Sequence, residues 1–190
     1  MKPYDSTPET NKHRDFVRML MNEIANAIKE RADHHDDSKL VSPEKELFDE
    51  FTPKLKGCTY GSPEYNDFLN GLKEALKHHY AANRHHPEHF DNGMNGMNLV
   101  DMVELICDWF AATMRHDDGD IYKSLEINKE RFHMDAQTAA ILKNTVDTYF
   151  SQFYRENYWC PNWIMFDNSA RHTPWWLTIL VREFLETSVF

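Results

Sequence analysis

The chain has few cysteines, no long apolar run and no recognisable export segment. Its 190 residues include three cysteines, Cys58, Cys107 and Cys160. This odd number at wide spacing excludes a disulfide framework and a cysteine-based structural zinc site, and it indicates a reducing compartment. No stretch reaches the roughly 18 apolar residues that a membrane-spanning helix needs, and Met1–Asp5 begins no apolar signal segment. We therefore expect a soluble cytoplasmic protein (in the host cytoplasm if a phage encodes it) with no membrane partner.

Positive charge is also in short supply. The 21 Lys and Arg residues face 31 Asp and Glu residues, which gives a formal net charge of −10. Sequence-independent nucleic-acid binding depends on Lys and Arg neutralising phosphates, so this composition argues against it. A small nucleotide bound in a local basic pocket remains compatible with it. With 41% hydrophobic and 13% aromatic residues, the chain has the composition of a globular protein.

Apolar residues recur at helical spacing along most of the chain, and no segment alternates like a strand. The first stripe, from Val17 to Ile28, is expected to face the core. Capping residues and prolines set the other expected boundaries. The predicted helices run over 11–32, from Pro43 to an end at Pro53, from Pro63 towards Pro87, from Leu99 to about Arg115, from near Ile121, from Asp135 through Tyr149, and over 174–186. The fold class is therefore all-α.

The last part of the chain differs in character from the rest. Aromatic residues crowd it with weak periodicity: Trp159, Trp163, Phe166, Trp175 and Trp176. A terminal helix cannot hide so many against itself, and exposed patches of that kind mark an interface or a docked segment. We divide the chain into a helical domain over 1–154 and an aromatic extension over 155–190. The extension is expected to pack on its own domain or on a partner subunit, which leaves a homo-oligomer open.

Histidine is the most informative residue that the chain does contain. Seven of the eleven histidines fall in two short stretches, 34–39 and 78–89, where carboxylates accompany them. Imidazole is the commonest side-chain metal ligand, and with carboxylates it builds mixed sites for divalent first-row metals. Adjacent residues such as His35 and Asp36 can point at one ion only if the backbone bends there. The pattern favours a catalytic metal centre over a structural one.

Two further elements could contribute to that centre. His13 lies one turn before Val17, on the expected core face of the first helix. Asp101, Glu104 and Asp108 stand at positions i, i+3 and i+7, which places three carboxylates along one face of a helix. Burying them unpaired would be costly, and a bound cation would offset that cost.

Three segments carry a resemblance to a known superfamily. His35-Asp36 with Lys39 resembles the His-Asp-x-x-Lys word of HD-domain metal-dependent phosphohydrolases. The segment 85–88, His-His-Pro-Glu, is similar to the His-His-Glu segment of their multi-metal members, and 107–112 resembles the helix that carries their distal metal-binding aspartate. The order of these words along the chain is also similar. More closely, residues of roughly 10–145 resemble a family of uncharacterised small proteins from phages and bacteria, which implies no activity.

The resemblance implies an HD-like helical bundle that binds one or two divalent ions (Mn, Fe, Mg, Zn or Co) and hydrolyses a phosphate ester, with a nucleotide as the first candidate. The Gly-Tyr-Pro word of the cyclic-dinucleotide enzymes is absent after Glu88, which argues against that substrate. The implied metal ligands are His13, His35, Asp36 and Asp108, with His79 and His86 completing a second site. Because His79 and His86 are only seven residues apart, which of them is a ligand stays open.

The remaining assignments concern catalysis and substrate binding. Asp37 or Glu104 would act as general base or orient the water, and Lys39 would face the phosphate. Arg84, His85 and Arg115 would contact the substrate. His116-Asp117 is a second His-Asp pair, which we discount because Gly119 and the capping position of Asp120 make it a loop.

Two other classes of function remain open. The same ligand set on the same kind of fold supports di-iron oxygenases, which six strong ligands and a dry pocket would favour. A non-enzymatic binding or inhibitor protein of phage type could keep the fold and use its acidic surface to engage a host partner.

Overall fold

The computed structural model describes residues 3–56, 63–114 and 119–155. Within these ranges the secondary structure is helical and contains no strand, which confirms the predicted all-α class. The helices are α1 (Thr7–Asp33), α2 (Glu44–Lys56), α3 (Pro63–Gly71), α4 (Lys73–Ala82), α5 (Leu99–Thr113), α6 (Ile121–Arg131), α7 (Ala136–Thr145) and α8 (Ser151–Arg155). Short 3₁₀ turns occupy Asp37–Leu40, Pro87–His89 and Gly93–Gly96, and a π-helical turn spans Val146–Phe150. None of the helices in the described part is long and apolar enough to cross a bilayer.

The chain divides into two compact units. The first is Met1–Thr148, and the second begins at Tyr149 and includes α8. The predicted aromatic extension and its last helix lie outside the described residues.

Helix α5 is the central element of the first unit. Asn98 caps its first turn by accepting hydrogen bonds from the backbone N–H groups of Val100 and Asp101. In turn, the Asp101 side chain accepts a hydrogen bond from the Asn98 N–H. This reciprocal capping satisfies donors that a helix start otherwise leaves unpaired. Further along, Leu105 and Ile106 are completely buried. α1 and α6 pack against α5, while α2, α3 and α4 pack among themselves.

Besides the earlier start of α1, at Thr7, two helix boundaries differ from the sequence prediction. α2 continues through Pro53 to Lys56 instead of ending at the proline. Proline removes one backbone donor and crowds the preceding turn, but Pro53 is exposed and only one turn from the helix end, so little is lost there. The single predicted helix after Pro63 is broken at Leu72 into α3 and α4. Gly71 stands at this break, and a Cβ there would run into the ring of Phe51.

The apolar stripe of α1 is not in the core, contrary to the prediction. No residue of α1 is buried, and Leu20, Met21 and Ile24 are 49%, 65% and 47% exposed. α1 is 27 residues long, and its residues Ile28, Arg31 and Ala32, near the C-terminal end, lie beside α5. The earlier turns have no packing partner among the described residues that would bury the stripe.

Leu105→Ala should lower the free energy of unfolding by about 2–5 kcal/mol, because it opens a cavity in a fully buried position. Leu99→Ala, on the same helix but at a position that is 70% exposed, should change it by less than about 0.5 kcal/mol. Urea unfolding followed by circular dichroism measures both. Equal effects of the two substitutions would contradict the placement of α5 at the centre of this unit.

Candidate functional site

Histidines and carboxylates converge from three parts of the chain: the loop after α1, α4 with the turn after it, and α5. Asp36 follows α1, His79 lies in α4, and His85 and His86 follow α4 in the chain. One ligand-capable atom from each of these four residues lies within 4.8 Å of the others. The same is true of a second group, which is composed of His35, His85 and Asp108. We call the two overlapping groups together the His/Asp cluster.

Asp36 links the two groups. Its Oδ1 atom lies 3.3 Å from His79 Nε2 and 3.5 Å from His85 Nε2, while its Oδ2 atom lies 3.5 Å from His35 Nε2 and 2.6 Å from Lys39 Nζ. The backbone of Asp36 is left-handed, with φ 60° and ψ 17°. This conformation is uncommon outside glycine, although aspartate adopts it more readily than most residues. It supplies the local bend that adjacent His35 and Asp36 need in order to reach one centre.

Glu44 supports His79 on one side of the cluster. It is completely buried at the start of α2, directly after a cis Ser42–Pro43 peptide bond. One of its oxygens lies 2.7 Å from His78 Nδ1. The other lies 2.9 Å from His79 Nδ1 and accepts a hydrogen bond from Ser38 Oγ at 3.0 Å. Since Glu44 holds the Nδ1 side of His79, the Nε2 atom of that ring points into the cluster.

Glu104 supports the opposite side in the same way. Its Oε1 atom lies 2.9 Å from the Nδ1 atoms of both His35 and His85, although the contact with His85 is too oblique for a hydrogen bond. Its Oε2 atom accepts a hydrogen bond from Arg31 Nε at 2.7 Å. Carboxylates that orient histidines through the nitrogen facing away from the ion are a regular feature of metal sites. Glu44 and Glu104 have that arrangement with three of the histidines.

Several atoms in the centre of the cluster are buried without a hydrogen bond. Asp36 Oδ1 and His85 Nε2 are inaccessible to solvent and have no hydrogen-bond partner among the described residues. The third unpaired atom is His85 Nδ1, whereas His79 Nε2 and His86 Nε2 form a hydrogen bond with one another at 2.8 Å. Leaving buried polar atoms unpaired costs about 1–3 kcal/mol each. The donor set therefore has the chemistry and the unmet bonding capacity that fit a divalent cation.

The pKa values of His35, His86 and Glu104 are strongly shifted. Contacts with Asp108 and then Glu104 raise the pKa of His35 to about 10. Burial, followed by the neighbouring rings of His85 and His79, lowers the pKa of His86 to about 3. Burial alone would raise the pKa of Glu104, but its contacts with His35, His85 and Arg31 outweigh burial and lower it. Without an ion, the proton on His35 and the guanidinium of Arg31 therefore offset part of the negative charge of the carboxylates.

The structure brings most of the proposed ligands together. His35, Asp36, His79, His86 and Asp108 all belong to the cluster, so both histidines of the uncertain pair are present. The predicted role of His85 in substrate binding does not match its position, because its side chain is 1% exposed and lies at the overlap of the two groups. Of the predicted catalytic residues, Glu104 and Lys39 contact the cluster.

Two other assignments need correction, and a third stays a prediction. His13 cannot join the cluster within one chain, because it lies 20 residues before the end of the continuous helix α1, about 30 Å away at the usual helical rise. Asp37 points away and pairs with exposed His34 at 2.9 Å. Arg84 donates two hydrogen bonds to Asp101, at 3.1 and 2.9 Å, and its side chain is 41% exposed, so its assignment to the substrate stays a prediction. Arg115 and the discounted His116-Asp117 pair lie outside the described residues.

Two supporting residues were not found from the sequence. Arg31 bridges Asp101 and Glu104, at 2.7 Å in each case, so the chain's own cation offsets two of the three carboxylates along α5. Glu44 did leave a signal in the sequence. It stands three and four residues before Leu47 and Phe48, on the expected apolar face of α2, where an acidic residue needs a buried partner.

Glu44→Gln should weaken the binding of a divalent ion by roughly 10–100-fold, because the uncharged amide no longer holds the Nδ1 proton of His79 as strongly. Glu46→Gln, an exposed site on the same helix, should leave the affinity unchanged. Titration of the metal-stripped protein with Mn²⁺, measured by isothermal calorimetry, gives both values. Unchanged affinity in Glu44→Gln with retained helical content would show that Glu44 does not support an ion site.

Comparison with known proteins gives a family and no function. Residues 2–148 match a family of unknown function (DUF5662). No curated protein and no solved structure matches the chain significantly. The match includes α1 to α7 and every residue of the His/Asp cluster, and it ends where the first compact unit ends. The chain therefore belongs to this family of unknown function.

Proposed function

We propose that the protein is a metal-dependent hydrolase of phosphate esters, with a nucleotide as the first candidate substrate. The observation that carries the proposal is the convergence of buried Asp36 Oδ1 and His85 Nε2, which have no hydrogen-bond partner, with four further nitrogen and oxygen donors. Mixed imidazole and carboxylate donors suit Mn, Fe, Co and Zn. The order along the chain of the three segments that resemble HD-domain motifs, on an all-α fold, supports an HD-type site.

The residues that would hold the ions follow from the two groups. Asp36, His79 and His86 would hold one ion, and His35 and Asp108 a second. His85 would complete either set, since one ring nitrogen serves one ion. The two oxygens of Asp36 face opposite groups, which suits a carboxylate shared between two ions. A bound divalent cation supplies an acidic water at neutral pH and offsets negative charge on the phosphoryl group.

The protein's own side chains position that chemistry. Both oxygens of Glu104 are engaged by neighbouring side chains, so Glu104 orients His35 and His85 and is not free to accept a proton. Lys39 holds Asp36 Oδ2 and carries the positive charge nearest to that carboxylate, where a phosphoryl oxygen could share it. Asp108, whose side chain is 21% exposed, is the more accessible carboxylate of the cluster.

A second candidate is a di-iron oxygenase. It is favoured by the six converging donors of the His/Asp cluster. Assays on one preparation of the protein distinguish the hydrolase from the oxygenase. Phosphate release from nucleotides with Mn²⁺ supports the hydrolase, whereas oxygen consumption with Fe²⁺ and no phosphate release supports the oxygenase. Bound metal without either activity would favour a binding protein.

Asp36→Asn and His85→Ala should each remove stoichiometric metal and lower Mn²⁺-dependent phosphate release by more than about 100-fold, beyond the usual effect of an outer-sphere change. His34→Ala is the matched control, because His34 precedes the cluster in sequence but its side chain is 70% exposed and pairs with Asp37. Elemental analysis and a phosphate assay measure the effects. If His34→Ala loses as much activity as the other two variants with its fold intact, the proposed site is wrong.

A further inference from the structure

A cleft of about 270 Å³ lies between α1 and α5 and opens beside the His/Asp cluster. From α1 its walls include Ile28 and Ala32, one turn apart. From α5 they include Val100, Val103, Cys107 and Ala111, along one helical face. Three of the lining side chains, Ala32, Cys107 and Ala111, are small. We call the whole space the α1–α5 cleft.

The cleft and the cluster are continuous, because His35, Glu104 and Asp108 line both. Solvent exposure differs across the cluster, so that one side is open to a ligand and the other is closed. The side chains of His35 and Asp108 are 32% and 21% exposed, whereas those of His79 and His85 are 2% and 1% exposed. A ligand can therefore approach the cluster through its His35 and Asp108 side, and the rest of that ligand would extend along the cleft.

The walls specify which kind of group the cleft accepts. Away from the cluster they are mainly aliphatic, and the one arginine in the lining, Arg31, is held by Asp101 and Glu104 at 2.7 Å. His35, which also lines the cleft, is held by Glu104. A second phosphate would find no unengaged cation among these lining residues. The volume of about 270 Å³ lies just below the roughly 300–1,000 Å³ that proteins use for small ligands. One uncharged ring system fits these dimensions better than a dinucleotide does.

We propose that the α1–α5 cleft is the specificity pocket for the leaving-group side of the substrate, with Val103 as its main size-determining residue. The favoured substrates are phosphate monoesters whose alcohol part carries a single uncharged ring system, such as a nucleoside. This inference rests on the proposed hydrolase function for the position of the phosphate. It adds that residues of α1 and α5 select the substrate.

Val103→Trp tests the pocket sterically, because Val103 is 36% exposed at the cleft. The metal content should stay unchanged. With Mn²⁺, kcat/KM for adenosine 5′-monophosphate should fall at least tenfold, whereas kcat/KM for methyl phosphate should change less than twofold. Ile141→Trp, at a 58% exposed position on α7, is the matched control and should change neither value. Equal loss for both esters with metal retained, or no loss for either, would overturn the pocket.

A second readout does not depend on turnover. Cys107 lies in the cleft, and replacing Cys58 and Cys160 by serine leaves it as the single thiol. With Mn²⁺ bound, excess adenosine 5′-monophosphate should slow maleimide labelling of Cys107 at least fivefold, whereas inorganic phosphate should slow it less than twofold. Equal protection by the two would overturn the pocket even if esters are hydrolysed. Absence of phosphate release from every ester, with metal bound and Cys107 still selectively protected, would instead overturn the hydrolase assignment.

Discussion

The structure depends on accommodating a group of buried carboxylates and imidazoles that are too polar to pack as a hydrophobic core. An unpaired buried charge is costly, and partners on every side are needed to offset that cost. Glu44 and Glu104 supply them from opposite sides by contacting the Nδ1 atoms of His79, His35 and His85, while Arg31 balances Glu104. These outer partners leave the Nε2 atoms directed inward. The unmet bonding capacity of the site is thereby concentrated at its centre, next to Asp36.

The helices followed from the sequence more fully than their packing did. Periodicity and capping are local properties, so the start of α5 at Asn98 and the helix after Asp135 were predicted correctly. The continuation through Pro53 and the break after Gly71 depend on solvent exposure and on the position of Phe51, which local patterns do not contain. Periodicity also identifies an apolar face without showing whether anything covers it. That is why the stripe of α1 was wrongly assigned to the core.

The candidate site was predictable where several segments of the sequence indicated the same metal centre. His35-Asp36 and the later histidines share a chain order that implies a common centre, and they do converge. His13 failed because a helical face says nothing about distance along a continuous helix of 27 residues. Supporting residues such as Arg31 have no local signature, since their partners are about 70 positions away. The family match spans the whole cluster and supplies no function, so the chemistry has to be argued from these contacts.

The central claim is that the His/Asp cluster is built to hold a divalent cation. A crystal structure of the protein grown with Mn²⁺, with diffraction data collected on both sides of the manganese absorption edge, tests it most directly. The account predicts an anomalous peak at bonding distance, about 2.0–2.3 Å, from Asp36 Oδ1 and from at least two of the inward-facing histidine Nε2 atoms. Ordered side chains at this position with no anomalous peak, while Mn²⁺ is bound elsewhere or not at all, would contradict it.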